Sequence, residues 1–261
     1  MKSLLPILML AAACAAAPAA KPAAPAPKPA KPIVVCPLKP DPPPVIDGDP
    51  REWANLPGAI AIGDKHVTWG RHNYTGEDDI SGTVRLCYDA NYLYLLVEVV
   101  DDKLVTSSGR GMFNADHIEL DFTADYRPAA TGPHKGGKLR IIGFNPGSVD
   151  PTGDPVTDVE PEPCLVSPPG INWSGIDVGS SITEDGYILE ARIPWKVLGV
   201  TKPVAIGMVF GVDVHLSDSD SGKMQETMSS INFTTPWKGR QQENILQMVL
   251  TGTDGKIPPK K

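Results

Sequence analysis

Asp116-His117-Ile118-Glu119-Leu120-Asp121-Phe122 is the stretch that decides the fold class. Ile118, Leu120 and Phe122 occupy one phase of a two-residue period, and His117, Glu119 and Asp121 occupy the other. Successive side chains of a strand point to opposite faces, whereas a helix would wrap these acids onto the apolar stripe. The segment therefore reads as a strand with one face towards a core and one polar face. The same period recurs on either side: in Lys138–Phe144, in Gly186–Ile193 (Tyr187, Leu189, Ala191 and Ile193 against Ile188, Glu190 and Arg192), and in Val212–Leu216 with Asp213 and His215 opposite. Thr83–Tyr88, Tyr92–Val100, Ile206–Phe210 and Ile245–Leu250 are further apolar strand candidates, and Asp89-Ala90-Asn91 joins the first two as a hairpin. Helix is confined to single turns, Pro50-Arg51-Glu52-Trp53 behind the capping Asp49 and Pro194–Leu198 ended by Gly199. Short strands punctuated by Gly, Pro and Asp predict an all-β protein: an antiparallel β-sandwich, jelly-roll or immunoglobulin-like in its two-sheet architecture, with one or two short helical turns. Residues 145–170, rich in proline and glycine and aperiodic, are expected as a long loop.

Composition divides the 261 residues. In residues 1–14, Lys2 precedes an apolar run, Leu4 to Ala13, too short to cross a bilayer and of signal-peptide length. Leu10-Ala11-Ala12-Ala13-Cys14 resembles a bacterial lipobox displaced by one residue, which would leave Cys14 lipidated; cleavage within Ala15–Ala20 is the other reading. Residues 15–44 form a Pro/Ala/Lys linker, extended because proline fixes φ and lacks an N–H. Ile33-Val34-Val35-Cys36 interrupts it and is apolar enough to dock on a domain edge. Residues 45–250 are expected as one domain and 251–261 as a flexible tail. The protein is thus expected outside the cytoplasm, lipid-anchored in a bacterial envelope or secreted, and monomeric. Cys36, Cys87 and Cys164 would remain in an oxidising compartment, enough for one disulfide and one free thiol, and no CxxC or Cys/His spacing points to zinc or thiol catalysis. The formal net charge of -7 averages a lysine-rich linker and tail with a more acidic centre, so a nucleic-acid backbone is a poor partner.

Catalytic motifs are absent: there is no GxSxG, P-loop or HExxH, and His66, His72, His117, His134 and His215 show no ligand spacing. Glu119 with Asp121 mimics a glycosidase pair, but a solvated strand face explains the two better, and no enzyme is expected. Glu119, Arg140, Asp213 and His215 are assigned to the polar phase of three strands. Such groups fix donors and acceptors at set angles, which suits sugar hydroxyls; a salt-bridged exposed face is the alternative. Trp69, in Trp69-Gly70-Arg71-His72-Asn73-Tyr74, is either an exposed binding residue or a packed loop anchor. Ser217-Asp218-Ser219-Asp220-Ser221-Gly222 alternates oxygen ligands as calcium loops do, which makes Asp218 and Asp220 candidate metal ligands; the loop lacks the closing bidentate Glu of an EF-hand, and a plain polar turn also accounts for it.

Six segments, in order, resemble the family 9 carbohydrate-binding modules. Val45-Ile46-Asp47-Gly48-Asp49-Pro50-Arg51-Glu52-Trp53 is similar to the family's "IDG-x-x-D-x-x-W" opening, Tyr88 to Val97 to its "W-D-x-x-Y-L-Y-V" hairpin, and Val99-Val100-Asp101-Asp102 to its "V-x-D" ending. Asp116 to Leu120 resembles "D-S-V-E-I", Gly186 to Trp195 "G-Y-x-x-E-x-x-I-P-W", and Ile206 to Asp220 "I-G-F-x-x-x-V-N-D-x-D". The resemblance implies a sugar-binding, non-catalytic β-sandwich, often with structural calcium, that clamps a terminal sugar between two aromatic rings. Position by position it places Phe113 at the first aromatic, Glu119 at the strand Glu and Arg140 at the following Arg. Asp213 and His215 replace the family's amides. Met228-Ser229-Ser230 stands where a second tryptophan is expected, with Phe233 or Trp237 as substitutes, while Trp53 and Trp195 fall at core positions. The implied ligand is an oligo- or polysaccharide. A partner-binding scaffold that has lost the sugar clamp is the alternative, and a haem-binding electron-transfer sandwich using Met208, Met224, Met228 and His215 is a more distant one, for which no c-type attachment motif is present.

Overall fold

The computed structural model describes residues 31–127, 130–134, 139–147, 159–235, 238 and 240–259. Cys14, the leader and Trp237 lie outside the described residues. Within them the alternation becomes two sheets packed face to face. The eight-stranded sheet holds β1 (Ile33–Pro37), β3 (Val67–Trp69), β6 (His117–Thr123), β7 (Leu139–Asn145), β8 (Glu162–Ser167), β11 (Val209–Asp218), β12 (Thr227–Ser230) and β13 (Leu246–Thr251). The five-stranded sheet holds β2 (Ile60–Ile62), β4 (Ser81–Tyr88), β5 (Tyr92–Val100), β9 (Asp177–Thr183) and β10 (Gly186–Pro194). In the larger sheet the order is β1-β13-β11-β6-β7-β8; β12 pairs with the second half of β11 and carries β3 on its far edge. Pairing is antiparallel except for β1 on β13. The chain is thus the antiparallel all-β sandwich that the alternation predicts.

Ile118, Leu120 and Phe122 of β6, with Ile142 and Phe144 of β7 and Val212, Val214 and Leu216 of β11, face Leu93, Leu95, Val97 and Val99 of β5 and the odd-numbered residues 187–193 of β10. Each such side chain contributes about 1.5–3 kcal/mol on burial. Trp195 joins this core, stacking on Phe210 at 5.4 Å and donating its indole N–H to the Asp89 carbonyl at 2.9 Å.

The outer face of the smaller sheet is closed by Trp53, packed with Cys87, Tyr94 and Leu96. Glu190 of β10 ties that cover down. It accepts hydrogen bonds from Trp53 Nε1 at 2.6 Å, from the Asp47 amide at 3.0 Å and from the Gly48 amide at 2.7 Å. Gly48 has φ 85°, and a Cβ there would sit 2.5 Å from the Ser180 carbonyl carbon, so the turn accepts only glycine. The Asp47-Gly48 to Trp53 spacing is the reach needed to meet one carboxylate.

Several expectations are corrected. Residues 33–37, assigned to the linker, are β1, with Val34 and Cys36 buried and Ile33 opposite Gln247, so the sandwich begins before Val45. Residues 162–167, expected as loop, form β8 on β7. Each of its residues is half-buried, which leaves no apolar period to read. Ile206 precedes β11, because Gly207 turns the chain with φ 87°. Asp64–His66 and Gly109–Asn114 are 3-10 turns that no periodicity announced. Residues 252–259 run back against the domain rather than trailing away: a Cβ on Gly255 would meet Pro57 Cγ at 2.6 Å. Cys36, Cys87 and Cys164 are all free thiols, against the expected disulfide. Cys36 faces the main core and Cys87 the cluster under Trp53.

Candidate functional site

β6 and β11 run antiparallel with Glu119 opposite His215, Asp121 opposite Asp213 and His117 opposite Ser217. Their intervening residues fill the core, so these six line the other face of the sheet. β12 adds Ser230 opposite His215 and Met228 opposite Ser217, β3 adds Trp69 opposite Met228, and β7 adds Gly143 opposite Glu119 and Ile141 opposite Asp121. The sheet thus gathers Glu119, Asp213 and His215 on one face, with Trp69 half-buried at its edge.

Phe113 arrives from the turn Gly109–Asn114 that leads into β6. Its ring meets His117 edge-on at 5.0 Å and lies over Gly143, where an added Cβ would come 2.9 Å from ring atom Cζ. The missing side chain at position 143 makes room for the ring, which stays half-exposed. The segment after β12 reaches the same face twice. Asn232 Nδ2 and Ser230 Oγ donate to the two Asp213 oxygens, and Arg240 Nη2 donates to Glu119 Oε1 at 2.9 Å with its Nε 3.9 Å from Asp121 Oδ2. Arg240 sits in an aperiodic stretch and carried no signal in the sequence.

The face is densely charged and largely sealed. His215 Nε2 lies 3.3 Å from Asp213 Oδ2 and 3.8 Å from Asp121 Oδ2, and all three side chains are fully buried. Burial pushes the Asp213 carboxyl up to about 7, partly offset by His215. Burial, reinforced by Asp121, also raises Glu119, against His215 and Arg240. For His215 burial alone would depress the imidazolium, but Asp213, Asp121 and Glu119 outweigh it and carry its pKa to about 9. Burial takes His117 down to about 4, and its Nδ1 sits 2.8 Å from the Ala115 carbonyl. It is therefore a neutral ring at physiological pH. His215, the histidine of the haem reading, is held among carboxylates.

Arg140 is not on this face. It stands opposite Phe122, on the core side, and its Nε donates to the Val197 carbonyl at 3.0 Å, beside Gly199. Both phases of residues 138–144 are apolar, and the phase taken for the core, Leu139 and Ile141, instead packs on Ile245 in a small separate cluster. Phe233 does not face Phe113 as a partner ring; it stacks on His66 at 4.5 Å.

A second cluster lies where the ends of β5, β6 and β11 converge. Asp101, Asp116 and Asp218 each offer a carboxylate oxygen within 4.8 Å of the other two, and all three are buried. They continue the core-facing phases of Val99, Ile118 and Leu216, so they close the space between the two sheets. Asp116 accepts from the Val105 and Ser219 amides. Asp101 Oδ2, Asp218 Oδ1 and the Tyr187 hydroxyl are buried without a hydrogen-bond partner. Burial first, then the neighbouring carboxylates, raises Asp101 to about 7, Asp218 to about 8 and Asp116 well above the usual range. Unpaired buried carboxylate oxygens suit a hard, oxygen-seeking divalent cation. Asp220 belongs instead to a more exposed group with Asp79 and Asp102, so Asp218 and Asp220 split between two groups rather than chelating together.

Comparison with known proteins places these features. Residues 52–243 match the family model described as carbohydrate family 9 binding domain-like. The chain is 25% identical over 177 residues to the exoglucanase XynX of Acetivibrio thermocellus and 22% identical over 210 residues to endo-1,4-beta-xylanase A of Thermotoga maritima, covering 68% and 79% of this chain but only 13% and 17% of those proteins. In fold it is similar to a family 9 carbohydrate-binding module from Caldicellulosiruptor kristjanssonii in complex with cellotriose, with TM-score 0.61 and 17% identity over 88% of this chain and 99% of that one, and to the glucose complex from the same organism, with TM-score 0.59. The match over residues 52–243, together with this two-sheet sandwich, shows that the chain belongs to the carbohydrate family 9 binding domain-like family.

Proposed function

We propose that the protein is a non-catalytic glycan-binding domain that works outside the cytoplasm and receives the end of an oligo- or polysaccharide on the polar face of its larger sheet. The observation that carries this reading is the half-exposed Phe113 ring held over Gly143 beside the Glu119–Arg240 pair. Sugar C–H groups stack on a ring face, while the part-exposed Arg240 guanidinium donates to hydroxyls and the Glu119 carboxylate, nearly buried beneath it, holds it in place. Trp69 borders the face from β3. Asp213 and His215 lie beneath the surface and support Glu119 from behind rather than touching the ligand. The non-catalytic reading is supported by the same geometry: Glu119 is engaged by Arg240 and Asp121 is fully buried. Titration calorimetry with glucose and with cello- and xylo-oligosaccharides tests the reading. Binding should be weakened about 10-fold or more, roughly 1.4 kcal/mol, by Phe113→Ala and by Arg240→Ala, and left unchanged by Arg140→Met. No heat from any of these sugars, or binding indifferent to Phe113→Ala, overturns it.

The Arg240–Glu119 contact also favours a second reading, in which the face is filled from within and the domain binds a protein partner. Capture of a partner that free sugars do not compete away would support it. The Asp101, Asp116 and Asp218 carboxylates fit calcium, which would supply the positive charge that three buried acids lack. Export and anchoring rest on the Leu10–Cys14 sequence. Mass spectrometry of the mature protein should find acylated Cys14 at the N-terminus, and a first residue beyond Cys14 rejects the anchor.

A further inference from the structure

We infer that Glu119, Asp121 and His215 form a binding site for a divalent transition metal ion of the Zn2+ or Mn2+ class, set into the polar face of the larger sheet and separate from the Asp101–Asp116–Asp218 cluster. The inference does not rest on glycan binding, since a protein that takes no sugar can still take the ion.

The three ligands are placed by pleat and register. Glu119 and Asp121 are two apart on β6, His215 stands directly across from Glu119 on β11, and one donor atom from each lies within 4.8 Å of the others. Neither strand can slip by one residue without exchanging these groups with Ile118, Leu120, Val214 and Leu216, which fill the core. Donors placed tetrahedrally around a zinc ion at about 2.0–2.2 Å lie roughly 3.3–3.6 Å apart, so side-chain rotations that draw the donors together by up to about 1.5 Å close the site.

The buried donors are held only by ionic contacts with one another, with Asp213 and with Arg240. Neither oxygen of Asp121 and neither ring nitrogen of His215 makes a hydrogen bond, although both side chains are completely buried. His215 approaches Asp213 and Asp121 only at 3.3 and 3.8 Å. Buried charged groups without hydrogen bonds are costly, and an ion among them offsets several such costs together. Arg240 occupies Glu119 Oε1 and leaves the second oxygen of that carboxylate for the ion. The surroundings are also those of a ligand set. Asp213 Oδ2 and Asp121 Oδ2 both face His215 Nε2, at 3.3 and 3.8 Å, and neighbouring His117 turns Nδ1 to a backbone carbonyl. An imidazole fixed through one nitrogen in this way presents the other as a lone pair. Mixed imidazole and carboxylate donors select the zinc and manganese class, whereas calcium takes oxygen alone.

The test uses the full chain without a histidine tag, stripped with chelator and then held in excess calcium so that the all-carboxylate clusters are saturated. Titration with Co2+ should show uptake of one equivalent with visible d–d absorption, displaced by Zn2+, and X-ray absorption should find imidazole in the coordination shell. His215→Gln and Asp121→Asn should each weaken uptake by about 100-fold or more, while Asp218→Asn leaves it unchanged. Should either buried variant fail to fold, the wild-type spectrum decides. Absence of uptake by calcium-saturated protein, an all-oxygen shell, or uptake unaltered in His215→Gln overturns the site.

Discussion

Glu190 binds the N-terminal motif to the smaller sheet through one carboxylate that accepts from Trp53 Nε1 and from the Asp47 and Gly48 amides. Truncation removes the acceptor for all three donors at once. Water reaches the Asp47 amide more easily than the buried Gly48 amide or the indole N–H of Trp53, which is wholly buried. Glu190→Ala should therefore lower the free energy of unfolding by about 2–4 kcal/mol in chemical denaturation. Glu190→Gln should cost less, because its amide keeps one oxygen but turns an N–H towards one of the former donors. A Glu190→Ala midpoint within about 0.5 kcal/mol of wild type would sink this account of the motif. The prediction concerns stability alone, since Glu190 lies on the smaller sheet, away from the polar face of the larger one.

At the level of elements, strands were legible where their two faces differ chemically. β6 and the Val212–Leu216 part of β11 segregate apolar from ionisable residues completely, and their faces read correctly. β7 carries apolar side chains on both faces, so alternation alone does not place Arg140, and β8 is half-buried throughout and has no period. The candidate site was legible to the same degree. Glu119, Asp213 and His215 sit on regular strands, whereas Arg240 comes from an irregular segment whose position only tertiary contacts define. Phe113 depends on an element pair, the turn Gly109–Asn114 laid over β7 at Gly143. A side chain at 143 must displace either the Phe113 ring or Met112 Sδ, each 2.9 Å from the added Cβ. Because Met112 is fully buried and Phe113 is half-exposed, the ring is the one that yields. Gly143→Ala should thus weaken oligosaccharide binding about 5-fold, roughly 1 kcal/mol, with the strand signal in circular dichroism intact. Unchanged affinity in a folded Gly143→Ala protein would remove Phe113 from the binding face.

The two sheets together form a sandwich closed at one end by acids from both: Asp101 just past β5 of the smaller sheet, Asp116 just before β6 and Asp218 at the end of β11 of the larger. Folding forces these groups together, so the fold favours their neutral forms; Asp101 and Asp218 titrate near 7 and 8. A carboxyl whose pKa is raised on folding contributes stability that is complete below about pH 4 and lost as pH rises through its folded value. Asp213, raised to about 7, and His215, raised to about 9, act in the same direction, while His117, lowered to about 4, opposes them only below about pH 6.5. In chelator, the melting temperature should therefore fall between pH 6.5 and 8.5. Calcium bound to the ionised acids reverses the cost, so its stabilising effect should grow over the same interval, reaching about 4 °C or more at the upper end, which for a domain of this size is roughly 1–2 kcal/mol. Asp218→Asn separates this cluster from the rest. Nearly isosteric and permanently neutral, it should melt higher than wild type at pH 8.5 in chelator, flatten the pH dependence, and abolish most of the response to calcium. A wild-type melting temperature that stays level or rises from pH 6.5 to 8.5 in chelator would mean that these acids do not strain the join between the sheets.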